Sequence, residues 1–500
     1  MKRIILAIAA IVFLLILIGS LWGYFAFLST KPLTKEELAE LTPDWSVITH
    51  NNWSPWFVDP DATGSPKTTW NPAASFNAWL ETVPDEDKAW PILVEIRYQY
   101  PALYDVDDFR RNISDVTDLD RLLANMQVDE NTQAIQEIIE ALSKPIMGRG
   151  FYESIDPYEH NARKRFGVED QDWIEDQVFI PDLESYFTDD VWRSVKLVLL
   201  HASSELIQGN TDQFVEELVI ALNATRLAIE LHAIPNQMFV DSIVNEYCST
   251  LIWSLEHHPE KFTVAQLSTL RSAIEQQIGR KFIWQGDALL FHDLIRRFAG
   301  TDGASSIHSA ANKAGAIAST HTYTNLPDRE LHESSQRLLY INNELIKETA
   351  NQSRIPWDGS RGGIADLHEQ YKSTISLLSA KFFDGSFQTL DKVAIVFRER
   401  AQQEIALTLI IAIHQHKIIH GSFPVSIEDI DTEFQPSQVM DIFTGNQLQY
   451  RLTDSGPLIY ALGPDRDDDN GAHVFGIARV SSKNDGDWVL FPTPIYPDDD

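Results

Sequence analysis

The chain opens with Met1-Lys2-Arg3 and then runs almost without polar interruption from Ile4 to Leu28. As a helix rising 1.5 Å per residue, that stretch spans roughly 37 Å, enough to cross a hydrocarbon core of about 30 Å with some tilt. Lys2, Arg3 and the free amine favour a cytoplasmic tail, although Lys31 and Lys35 flank the far end. A cleaved signal peptide is the competing reading. Its apolar stretch is ordinarily shorter, and the nearest small-residue site, Gly19-Ser20-Leu21, is followed by the bulky Trp22, Tyr24, Phe25 and Phe27. The pattern therefore predicts an uncleaved, single-pass signal anchor over residues 1–30, with the remainder outside the cytoplasm.

Residues 31–185 lack a sustained period. Trp45, Trp53, Trp56, Trp70, Trp79 and Trp90 are interleaved with Pro43, Pro55, Pro60, Pro66, Pro72, Pro84 and Pro91. Proline breaks helices, so this region reads as loops and short helices held by aromatic packing. Exposed rings would suit sugar stacking. Core packing is the stronger reading, because large rings provide the buried area that a loop-rich segment otherwise lacks.

From residue 186 to 385 apolar positions recur at the 3/4 spacing of amphipathic helices. Val191, Val195, Val198, Ala202 and Leu206 form one stripe, which Gly209-Asn210 breaks. Thr211 is placed to cap the next helix, whose stripe is Phe214, Leu218, Ala221, Leu222, Thr225 and Ile229. Pro235 opens a third with Phe239, Ile243, Tyr247 and Leu251. Thr263-x-x-Gln266 has the spacing of a capping box before Leu267, Leu270, Ile274 and Ile278, with Gly279 as the stop. Further helices are predicted near 286–298, 329–349 and 364–383. No fixed repeat period appears, so the expectation is an irregular helical array with antiparallel neighbours. The small-residue stretch from Gly300 to Thr322 interrupts it as a surface loop.

Residues 386–500 change character. A long helix over Leu390–Ile419 carries Val393, Phe397, Ala401, Ile405, Leu409 and Ile413 on its stripe. After His420-Gly421 come Gln447–Leu452, a turn at Asp454-Ser455-Gly456, and Leu458–Leu462, which predict a β-hairpin; Trp488–Phe491 reads as a further strand. The fold class expected is mainly α: a transmembrane helix, an irregular helical array, and a small α+β module with a long helix and a short antiparallel sheet.

Composition narrows the partners. With 40 Lys+Arg against 73 Asp+Glu the formal charge is −33, which argues against nucleic acid, since phosphate binding needs clustered cations. A lone cysteine, Cys248, excludes an intrachain disulfide and any multi-cysteine metal site; on its helix it reads as a buried structural thiol.

His420-Gly-x-Phe423-Pro424-x-Ser426, Asp441-x-Phe443-Thr444-Gly445, Tyr450-Arg451-Leu452 and Tyr460-Ala-Leu-Gly-Pro-Asp465 together resemble the globular part of type II secretion major pseudopilins. The chain from residue 189 onward is also similar to bacterial exported proteins that join such a module to a membrane-anchored helical domain. Pilins carry their membrane helix, with a processing site and a glutamate, directly before the globular part. Here the anchor lies far upstream and has neither, which argues against filament assembly.

The best site candidate is the acidic stretch Asp465-Arg466-Asp467-Asp468-Asp469-Asn470-Gly471. Closely spaced carboxylates on a turn can supply several of the six to eight oxygens that calcium takes, and Asp465, Asp467 and Asp469 alternate suitably. The resemblance implies the same ion, because the corresponding pseudopilin loop binds calcium. The stretch is not an EF-hand: Gly471 falls one place late and Gly476 stands where the bidentate glutamate belongs. A solvated acidic turn is the alternative. His416 and His420, with His414 nearby, have zinc-compatible spacing but no third ligand. His257-His258 reads as a helix end, Gly359–Gly363 as a turn, and His292-Asp293 lacks an accompanying nucleophile motif. No catalytic residue is assigned. The leading functional expectation is an interaction or scaffold protein of a bacterial cell envelope, with the membrane and a protein partner as its contacts. An envelope hydrolase acting on glycan or peptide, and an accessory component of a secretion apparatus, are the alternatives.

Overall fold

The computed structural model describes residues 80–104, 129–149, 157–168, 186–228, 234–276, 344, 370, 377–430, 439–463, 466–472 and 486–493. The proposed anchor, the tryptophans before residue 80, Gly279, the helices near 286–298 and 329–349, the Gly300–Thr322 and Gly359–Gly363 segments, His292-Asp293 and Asp465 lie outside the described residues or rest on isolated ones. Within them the fold is mainly helical with one small sheet, and no described helix is long and apolar enough to cross a membrane.

The main helices are α1 (Trp90–Gln99), α2 (Asp129–Ser143), α3 (Pro157–Phe166), α4 (Tyr186–Gln208), α5 (Thr211–Asn223), α6 (Ile234–His257), α7 (Val264–Glu275) and α8 (Leu377–His420). α2 is longer than the short helices expected of that region. Ala134, Ile135, Ile138, Ala141 and Leu142 bury one face of it, while Gln133–Glu137 and Glu140–Lys144 contacts lie along the other. Trp90 is fully buried, with the Arg97 and Arg149 guanidinium groups 5.7 and 5.0 Å from its ring centre. It packs the core and offers no surface for a sugar.

α4 is the central helix, packed on α2, α5 and α6. Its expected stripe is fully buried, and so are Leu197, Leu199 and Leu200 on the remaining faces. A helix covered all round also buries its polar residues, and each of these meets a partner. Asp190 pairs with Arg97 (2.8 Å), Lys196 with Glu246 (3.0 Å), and His201 Nδ1 with Glu217 (2.8 Å). Gly209, at φ +93°, ends the helix as the sequence implied, its N–H donating to the Leu206 carbonyl. The cap of α5 is Asn210 rather than Thr211, and its side chain makes no capping bond. Thr211 instead occupies the first turn and is buried. The capping box of α7 forms as expected: the Gln266 N–H donates to Thr263 Oγ1 (3.3 Å) and the Thr263 N–H to Gln266 Oε1 (2.9 Å).

Helix α8 starts thirteen residues before the predicted Leu390 and runs for 44 residues. From Glu404 to His414 every side chain is buried. One part of its circumference is covered by α6 and α7, and another by the sheet. That sheet has the order β1 (Gln449–Thr453), β2 (Gly456–Ala461), β3 (Trp488–Phe491), all antiparallel. Tyr450 stands opposite Ile459, and Ile459 opposite Phe491, with a register shift after Ile459. A single apolar core runs from Ala89 through the helical array to Phe491.

Candidate functional site

The module's signature residues build a frame. Gly421, at φ +79°, closes α8 with its N–H on the Lys417 carbonyl (2.8 Å), a conformation that suits glycine. Phe423 then turns back against His414 (5.6 Å between ring centres) under the Lys417 ammonium, and the Tyr450 hydroxyl donates to the Pro424 carbonyl (2.6 Å). Asp441 is fully buried and accepts the N–H groups of Phe443 (2.8 Å) and Leu462 (3.0 Å). Gln402 of α8 joins the same segment, accepting the Ile442 N–H (2.8 Å) and donating to the Met440 carbonyl (3.3 Å). The Asp-x-Phe-Thr-Gly and Phe-Pro motifs thus knit strand, turn and helix together.

The acidic loop is fastened onto this frame. Asp468 Oδ1 accepts the Tyr460 hydroxyl (3.0 Å) and the Asn470 N–H (2.8 Å), while Arg451 donates to Tyr460 Oη and Asn470 Oδ1 (3.1 Å each). Arg466 and Asn470 sit at φ +68° and +61°, so the chain folds tightly back on itself. Gly471, at φ +80°, lies so close to β2 that a Cβ there would come within 2.7 Å of Leu458 Cδ2.

Asp487, which the sequence did not single out, lies behind this loop. It is fully buried; Oδ2 accepts the Gly471 N–H (2.6 Å), and Oδ1 has no hydrogen-bond partner among the described residues. Burial pushes its carboxyl up to about 6, the Gly471 and Asp469 N–H groups oppose that shift, and the charges of Asp468 and Asp469 add to it. The charges of the exposed Asp468 and the half-buried Asp469 thus bear on one buried carboxyl. Of the residues expected to hold calcium, Asp469 is half-buried beside Asp487, Asp467 points to solvent, and Asp465 lies outside the described residues. Among the described residues no three His, Cys, Asp or Glu side chains converge as a ligand set. A cation here would therefore complete its shell with backbone oxygens, water or Asp465. The donors are all hard oxygens, and the orphaned Asp487 Oδ1 is the group that such an ion would satisfy. Asp487 was hidden from sequence reading because only the pairing of β3 with β2 brings it to the loop.

The histidines do not assemble. His416 and His420 lie 4.2 Å apart between ring centres, tilted by 37°. His414 faces away from them, packed edge-on between Phe423 and Phe491, and burial followed by the Lys417 charge lowers its imidazole to about 4. A neutral core histidine results. His257 stacks on Trp253 and ends α6 as expected. Cys248 is buried, and burial raises its thiol far above the ordinary range, so it is inert. No family model, curated protein or solved structure matches this chain.

Proposed function

We propose that this protein is a membrane-anchored, extracytoplasmic interaction scaffold of a bacterial cell envelope, ending in a pseudopilin-like module that calcium clamps. The observation that carries this reading is the burial of α8 on all sides between Glu404 and His414. In a pilin the module's long helix continues from the membrane segment. Here the helix is enclosed by α6 and α7 of the array, which argues for a module reused as a rigid end-piece rather than a filament subunit. A continuous core of this kind presents an extended fixed surface, the property that helical arrays bring to partner binding. Asp469 and Asp487 would hold the calcium ion, which would fasten the loop to β2 and β3.

Chemical crosslinking in intact cells tests the reading, followed by purification of the full-length anchored protein and mass spectrometry of the products. The scaffold predicts a stoichiometric envelope partner. Recovery of the protein alone, from cells in which known envelope complexes crosslink efficiently, would overturn it.

A further inference from the structure

The seam between α6 and α8 carries an unbalanced set of buried charges. Arg400 of α8 donates from Nη1 to Asp241 Oδ1 of α6 (2.8 Å) and lies 3.6 Å through Nε from Glu404 Oε1. Asp241 and Glu404 are both buried. The second oxygen of Asp241 is buried without a hydrogen-bond partner among the described residues, as is Oε1 of Glu399. Among the described residues, the charge that acts on Glu399 is that of Asp241. Asp241 and Glu404 therefore share the Arg400 guanidinium. The neighbouring groups do not redress the balance. Asn245 and Gln403 bond to each other (3.1 Å), Cys248 faces Glu404, the Tyr247 hydroxyl is buried, and Lys196 of α4 is spent on Glu246. Ionising both Asp241 and Glu399 would carry a desolvation cost that Arg400, already shared with Glu404, offsets only in part.

We propose that the α6–α8 seam is a proton-operated joint, closed while Asp241 and Glu399 retain protons and loosened when those protons leave. Burial pushes the Asp241 carboxyl up to about 7 against the opposing Arg400 charge, with Glu404 adding to the rise. Burial and then the Asp241 charge push Glu399 up to about 8. The transition therefore falls between neutral and mildly alkaline pH. α6 belongs to the array and α8 carries the module, so proton release would weaken the array's hold on its end-piece. Among the described residues, the other charges acting on the pair are those of Arg400 and Glu404.

The test uses the full-length protein in detergent. Thermal unfolding is followed from pH 6 to pH 9 for the wild type and for Glu399→Gln, whose amide stands in for the protonated acid. The wild-type midpoint should fall across this range and the variant's should fall measurably less, with the two nearest at pH 6. Equal slopes, or a variant destabilised by the same amount at every pH, would overturn the joint. Should the variant fail to fold, infrared spectroscopy of the wild type decides. A protonated-carboxyl band present at pH 7 and lost by pH 9 supports the proposal, and its absence at pH 7 refutes it.

Discussion

Replacing Asp441 by alanine should unfasten the module from its helix. The carboxylate is fully buried and accepts two backbone N–H groups, at Phe443 (2.8 Å) and Leu462 (3.0 Å). Hydrogen bonds to a charged group contribute about 1.5–3 kcal/mol each, and alanine leaves both donors without water to replace the lost acceptor, so a local loss of about 3–5 kcal/mol is expected. Asparagine keeps one oxygen but turns an NH2 group toward the other donor, which places it between wild type and alanine. Hydrogen exchange with mass spectrometry on the full-length protein reads this directly. At about 1.4 kcal/mol per tenfold, protection over 441–462 should fall by roughly two to three orders of magnitude, with α2 and α5 much less affected. A change below tenfold in that segment would mean that Asp441 does not fasten the turn to β2.

Three further outcomes follow from the same geometry. Millimolar calcium should raise the unfolding temperature of the wild type; Asp487→Asn and Asp469→Asn should abolish the response while Asp467→Asn keeps it, and an identical response in all three would remove the calcium assignment. His201 sits between Glu217 and Glu205; burial lowers its pKa, but the Glu217 hydrogen bond and the two carboxylate charges outweigh it and leave the folded value raised. Its stabilisation is therefore complete below the unfolded value of about 6.5 and is lost as pH rises through the folded one. His201→Gln should accordingly cost about 1–2 kcal/mol at pH 6 and less at pH 9, and a penalty independent of pH in denaturation curves would contradict this. Tyr450→Phe removes the 2.6 Å bond to the Pro424 carbonyl and should cost about 1 kcal/mol in urea unfolding, whereas no loss would show that water replaces the hydroxyl.

Local signals were legible in the sequence wherever a single element generates them. The stripe of α4, the Gly209 stop, the capping box of α7 and the β1–β2 hairpin all depend on neighbours within about one or two turns. The α2 stripe was equally local, yet the proline- and tryptophan-rich stretch that precedes it in the same region obscured it. What sequence could not show comes from distant segments meeting. Ile405 to Ile413 reads as one apolar stripe, but enclosure by both array and sheet buries the whole circumference. The packing of α8 on α6 also buries Asp241 and half-buries Glu399, which look like ordinary solvated acids along the chain. The acidic loop was visible as a candidate for Asp465, Asp467 and Asp469, but not how it folds against the sheet. There the left-handed turns at Arg466 and Asn470 accompany the placing of Asp468 on Tyr460 and of Asp469 beside Asp487.

Helix α8 joins array and module into one body through a continuous apolar core. Hydrogen exchange under increasing urea, followed separately on residues 195–218 of the array and 449–461 of the sheet, tests that claim most directly. One body predicts that both segments lose protection in a single shared transition. A sheet that opens at a distinctly lower urea concentration while the array stays protected would contradict it, and would make the module an independent domain.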